Sequence, residues 1–165
     1  MRKRSIIILL LVSSITLFPM DIRVYFSPNG GCLRAIVQEI NRSRKSIKIL
    51  AYRFTSRIMI RALAKARQRG VEIEAVLDGE RTRDRFSRHE DLKKAGVELY
   101  LDYSVKHMHD KVMMFDNNTV ITGSYNFTTL AERGNSENIL VIRSPYIYRR
   151  YLSHFHQRKI KSRRF

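Results

Sequence analysis

The chain has 165 residues, a length that suits one domain with its own core and is short for two. Its formal net charge of +17 favours polyanionic partners, nucleic acid first and anionic membrane second, and leaves the chemistry open. The single cysteine, Cys32, excludes an internal disulfide and a cysteine-built zinc site, and reads as a small buried apolar group.

Arg2, Lys3 and Arg4 stand directly ahead of the apolar run Ser5–Phe18, the order of a basic and then a hydrophobic region in an export signal. The run is shorter than the roughly 20 residues of a comfortable membrane span, and no small-x-small cleavage site precedes Asp21. Residues 1–20 are therefore expected to be a signal peptide or a membrane signal-anchor. The protein would be periplasmic, secreted or tethered through residues 5–18. Residues 21–165 form the folded domain and keep about +14 of the charge, since the only charges before Asp21 are the three basic ones.

Ile22–Phe26 predicts a first strand, closed by Ser27-Pro28-Asn29-Gly30-Gly31. Leu33, Ile36, Val37 and Ile40 then fall at helical spacing. Ser46–Tyr52 predicts a second strand. Met59, Ala62, Leu63 and Ala66 predict a second helix ending at Gly70, and Val71–Leu77 alternates as a third strand. Arg81–Ala95 is expected to be a helix with a weak apolar face, and Val97–Leu101 a fourth strand. Val112–Phe115 and Thr119–Thr122, joined by Asp116-Asn117-Asn118, predict a β-hairpin. A helical turn over Asn126–Glu132, a strand at Ile139–Ile142 and a helix opened by Ser144 and Pro145 complete the series. Strands alternating with helices imply a single-domain α/β sandwich, its sheet mixed but mostly parallel and flanked by helices.

Chemistry concentrates between His107 and Asn126. His109, Lys111 and Asp116 are spaced H-x-K-x4-D, and after six residues comes Gly123-Ser124-Tyr125-Asn126. Alternation along a strand is expected to point His109 and Lys111 to the same side. The returning strand brings a glycine that permits close backbone approach, with Ser124 and Asn126 as polar groups beside it. Imidazole, ammonium, hydroxyl and amide converging on a small volume make a phosphate pocket that contains a nucleophile.

The H-x-K-x4-D and G-S-x-N groups resemble the HKD motif of the phospholipase D superfamily, whose members hydrolyse or transfer phosphodiesters. Ala51-Tyr52-Arg53-Phe54-Thr55 and the unit Ala62–Asp78 are similar to segments of the superfamily's small bacterial nucleases. The resemblance spans nearly everything after Asp21 and implies a phospholipase D-like catalytic domain with its motif on a hairpin. It implies that His109 attacks phosphorus, that Lys111, Ser124 and Asn126 hold the phosphate oxygens, and that Glu137 supports the imidazole. Asp116 and Gly123 would support the pocket structurally. A single motif per chain implies a homodimer with a shared active site, because one histidine cannot be nucleophile and general acid in the same step. The scheme calls for neither metal nor cofactor. His107-x-His109 lacks a third ligand, and Lys111 would repel a cation.

Arg149, Arg150, Arg158, Lys159, Lys161, Arg163 and Arg164 suggest a basic track for a nucleic acid backbone, or a solvated helix end. Aromatic residues do not interleave with these charges, so backbone contact without base readout is expected. Three readings follow: a metal-independent, non-specific endonuclease acting on DNA or RNA, a phospholipase D acting on lipid head groups, and a non-catalytic nucleic-acid binder. The intact set of motif residues weighs against the last.

Overall fold

The computed structural model describes residues 21–165, and the expected leader over residues 1–20 lies outside them. In chain order the elements are β1 (Asp21–Ser27), α1 (Cys32–Arg42), β2 (Ser46–Ala51), α2 (Arg57–Gln68), β3 (Glu72–Asp78), α3 (His89–Lys94), β4 (Glu98–Asp102), β5 (Lys111–Phe115), β6 (Thr119–Gly123), α4 (Thr129–Arg133), β7 (Glu137–Arg143), α5 (Pro145–Ile160) and β8 (Arg163–Arg164).

Local chemistry explains the boundaries. The Ser56, Thr128 and Ser144 hydroxyls accept from the backbone N–H groups of Met59, Ala131 and Ile147, satisfying donors that a helix start leaves unpaired. Pro145 occupies the first helical turn of α5, where no N–H is needed. Asp116 and Asn117 take positive φ values of 51° and 63° in the turn between β5 and β6, a conformation that short polar side chains tolerate.

All eight strands form one sheet in the order β1-β7-β6-β5-β2-β3-β4-β8. It is mixed, as expected, but the balance is reversed. Only β2–β3 and β3–β4 are parallel, while β1–β7, β7–β6, β6–β5, β5–β2 and β4–β8 are antiparallel. Helical crossovers set the parallel pairs; tight turns, together with two strands added at the edges, set the rest.

Side-chain alternation sorts the core onto two faces. Met113 and Phe115 of β5 pack with the buried residues of α1 and α2, plus Leu92 of α3 and Ala131 of α4. Val112 and Met114 point the other way, with Leu50 and Val76, under Tyr148 and Phe155 of α5. Cys32 is fully buried, and burial pushes its thiol up to about 11. The sheet is thus enclosed by helices on both sides.

Two expectations change. The helix foreseen over Arg81–Ala95 forms only at His89–Lys94, with a 3-10 turn at Glu80–Arg83 before it. Leu92 is the one buried side chain of α3, so the preceding segment has no apolar stripe to hold against the sheet. The helical turn foreseen from Asn126 starts at Thr129, because the Phe127 carbonyl accepts from the N–H groups of Thr55 and Ser56.

Candidate active site

The site starts from strand register. Ala51 of β2 faces Lys111 of β5, and the Tyr52 N–H donates to the Asp110 carbonyl at 2.9 Å, extending the ladder past the strand end. This sets Tyr52 beside the motif. Its ring centroid lies 4.2 Å from that of His109 and 5.9 Å from that of His107, and the Lys111 ammonium stands 5.2 Å from it. His109 itself precedes β5, so strand alternation does not align it with Lys111. Hydrogen bonds do: Lys111 Nζ donates to the His109 carbonyl at 2.9 Å and approaches Nδ1 at 3.2 Å. An ammonium has no lone pair, so in this contact Nδ1 accepts and a neutral imidazole carries its proton on Nε2.

Both groups are poised by burial. Lys111 is only 9% exposed, and loss of water lowers its pKa, opposed by the charges of Asp110 and Glu137. The His109 pKa is lowered too, first by burial and then by the Lys111 ammonium. Its neutral form therefore prevails at pH 7.

The loop that carries His109 is anchored from below and from the side. The buried Asp78 carboxylate accepts from the Met108 N–H at 2.7 Å and from the Arg81 N–H at 2.9 Å. Asp110 pairs with His154 of α5 at 2.9 Å. Neither Asp78 nor His154 carries a site role in the sequence reading; Asp78 closes the Ala62–Asp78 unit singled out there, whereas nothing in the local spacing marks His154. Tyr52 could have been found, since it lies in the A-Y-R-F-T stretch already singled out.

The G-S-x-N group is placed by β6 and β7. A Cβ on Gly123 would lie 2.1 Å from the Asn138 carbonyl oxygen, so only glycine fits between the strands. Ser124 is engaged with the same neighbour. Its hydroxyl accepts from the Asn138 N–H at 3.1 Å, and its own N–H donates to the Asn138 carbonyl at 3.2 Å. Asn126 carries a buried Oδ1 that has no hydrogen-bond partner among the described residues. Glu137 accepts from the Asn135 side chain at 2.9 Å, and among the described residues it makes no hydrogen bond to His109, the imidazole it is expected to support.

Asp116 sits at the opposite end of β5. The Arg44, Lys45 and Ser46 N–H groups and the Ser43 hydroxyl all donate to its carboxylate. Burial alone would raise its pKa, yet these bonds hold it below the usual carboxylate range. Asp116 thus braces the α1–β2 turn and reaches the pocket only through the hairpin.

The basic tail is also reassigned. Arg158 pairs with Asp102 at 3.4 Å, Lys159 with Glu74, and Arg164 with Glu98 at 3.2 Å, while Arg163 and Arg164 form an edge strand on β4. Arg158, Lys159 and Arg164 thus have carboxylate partners within the chain, while Arg149, Arg150, Lys161 and Arg163 stay exposed. Among the described residues, no group of three or more His, Cys, Asp or Glu side chains could hold a metal ion.

A family model described as "Cardiolipin synthase, PLD-like domain" matches residues 36–159. A phospholipase D of Rickettsia typhi is 32% identical over 139 residues, covering 84% of this chain and 68% of that protein. The human mitochondrial cardiolipin hydrolase is 31% identical over 129 residues, 78% of this chain and 51% of its own length. The crystal structure of Nuc from Salmonella typhimurium, a phospholipase D family member, superposes with a TM-score of 0.85 at 34% identity. That likeness covers 89% of this chain and 99% of Nuc.

Proposed function

Since the chain belongs to the phospholipase D-like family of phosphodiester-processing enzymes, we propose that it is an endonuclease hydrolysing DNA or RNA through a phosphohistidine. The observation that carries this reading is the contact between neutral His109 and the buried Lys111 ammonium. It unites a nucleophile and a cation on the scale of one phosphate. When a substrate phosphate draws the ammonium away, Nδ1 is released to carry the ring proton and Nε2 becomes the free lone pair. Attack by Nε2 forms the N–P bond and expels the leaving oxygen, which needs a proton. Water then cleaves the N–P bond and restores the imidazole.

The proton donor is His109 of a second copy in its imidazolium form, which the bound phosphate anion favours. It gives its proton to the leaving oxygen and, then neutral, takes one from the attacking water, because a nucleophile that has just bonded to phosphorus cannot do either. The Asn126 amide nitrogen and the Ser124 hydroxyl donate to the phosphate oxygens, which leaves the unpartnered Asn126 Oδ1 as an acceptor outside this contact. Glu137 steers the imidazole within the assembled dimer. The leader over residues 1–20 directs export or holds the enzyme at a membrane.

Support for a nucleic acid comes from the charge of +17 and from likeness to Nuc along almost the whole chain. A lipid substrate is favoured by one other observation, the names of the relatives: phospholipase D and cardiolipin hydrolase. Protein lacking residues 1–20, incubated in EDTA with plasmid DNA, single-stranded RNA and phospholipid vesicles, separates the two. Polymer cleavage that disappears in His109→Ala is the expected result. Head-group release with intact polymers would replace the nuclease by a lipase, and turnover unchanged in His109→Ala would remove the phosphohistidine.

A further inference from the structure

The helix that does not form leaves an irregular wall between Gly79 and Arg88. Together with Tyr52, Asn126 and the start of α4 it encloses a cleft of about 710 Å³ that opens beside the phosphate site. This volume lies within the range of small-molecule pockets and has room for a nucleoside-sized ligand.

The wall chemistry is mixed in a specific way. Phe86 and Leu130, both 65% exposed, present apolar surface to one cleft. The Arg85 guanidinium lies 4.4 Å from the Phe86 ring centroid, over one face of a ring whose residue remains 65% exposed. Two buried polar atoms on lining residues, Arg81 Nε and Asn126 Oδ1, have no hydrogen-bond partner among the described residues: one donor and one acceptor. Arg53 and Arg81 flank the Tyr52 ring at 5.9 and 5.6 Å and share the Asp84 carboxylate at 3.4 and 3.6 Å. Two guanidinium groups on one carboxylate leave an excess positive charge.

An acyl chain would cover Phe86 and Leu130 but leave both buried polar atoms unpaired. A nucleobase meets every requirement, with a π face for stacking and an edge that both donates and accepts. We infer that this cleft is a base pocket: it takes one unstacked nucleobase of a single strand whose neighbouring phosphate lies at His109 and Lys111. The base stacks on the open face of Phe86 and turns its edge to Arg81 and Asn126. This inference rests on the nuclease reading. It also revises the expectation of backbone contact alone, because aromatic rings and arginines that are scattered in sequence meet on one wall.

The test compares a fluorescein-labelled single-stranded oligothymidylate with the same strand carrying abasic sites, by anisotropy, on the full chain with His109→Ala to prevent cutting. The base-bearing strand should bind about tenfold more tightly. Adding Phe86→Ala should abolish that difference while leaving the abasic affinity as it was, and Phe86→Tyr should restore it. Equal affinity for the two strands, or a difference that survives Phe86→Ala, overturns the pocket. So does Phe86→Ala weakening attachment to cardiolipin–phosphatidylcholine vesicles with strand binding untouched, which assigns the cleft to lipid. Cleavage assays on the chain with His109 intact distinguish the levels. Preference for duplex over single strand removes the pocket and keeps the nuclease, whereas failure to cut any polymer removes both.

Discussion

Lys111 is the residue at which stability and chemistry oppose each other. A folded-state pKa below its ordinary value means that folding disfavours the ammonium, so its charge detracts from stability at neutral pH. Lys111→Met, similar in length and uncharged, should leave the melting temperature equal or higher while turnover of any phosphodiester falls by several orders of magnitude. A variant that melts well below the parent would show that the lysine is structural. Asp116 has the opposite sign. Its pKa is lower in the folded chain than the unfolded value of about 3.9, so its contribution is complete above pH 4 and fades as pH falls through the folded value. Asp116→Asn should lower stability by about 1–2 kcal/mol at pH 7 in urea titrations, and the gap should close in acid. A gap independent of pH would exclude the carboxylate charge as its cause. The legibility of such residues differs. His109 and Lys111 stood out by spacing, whereas the role of Asp78, at the end of a unit the sequence does mark, became visible only through its bond to the Met108 N–H.

At the scale of elements, the β5–β6 hairpin was readable throughout. Apolar runs of strand length flank a turn of Asp and Asn, and the structure forms the hairpin with Asp116 and Asn117 at positive φ. Gly123 at its end is demanded by backbone proximity to β7. Gly123→Ala should therefore cost about 1–3 kcal/mol, read as a lower urea midpoint, with activity reduced because Ser124 and Asn126 follow it directly. An unperturbed midpoint would mean that β6 and β7 separate easily. The segment before α3 was misread for a physical reason. Its charged residues permit a helix locally but offer no apolar face for the sheet, and ion pairs among Arg53, Arg81 and Asp84 stabilise an irregular path instead. The tail carries a short strand that its sequence does not mark, since α5 ends in a turn that returns Arg163 and Arg164 to the edge of β4.

For the whole molecule, the prediction concerns copy number. If two His109 side chains form one site, mixed dimers of parent and His109→Ala chains are inactive, and activity follows the square of the parent fraction. Chains co-expressed and purified in equal amounts should retain about one quarter of the activity of an all-parent sample. Retention of one half would mean that each chain works alone and would require another proton donor within it. Sequence by itself determined the motif spacing, the order of strands and helices as far as α5, the cap at Ser144, and a strong positive charge. These are local patterns or sums over the chain, and neither depends on how distant segments meet. Only the tertiary structure decided that Tyr52 stands against His109, that Asp78 and His154 brace the loop that carries His109, that Glu137 turns to Asn135, and that Phe86 and Arg81 share a wall. Such neighbours are set by the register of β2 on β5 and of β6 on β7, which emerges when two faces of one sheet are buried together.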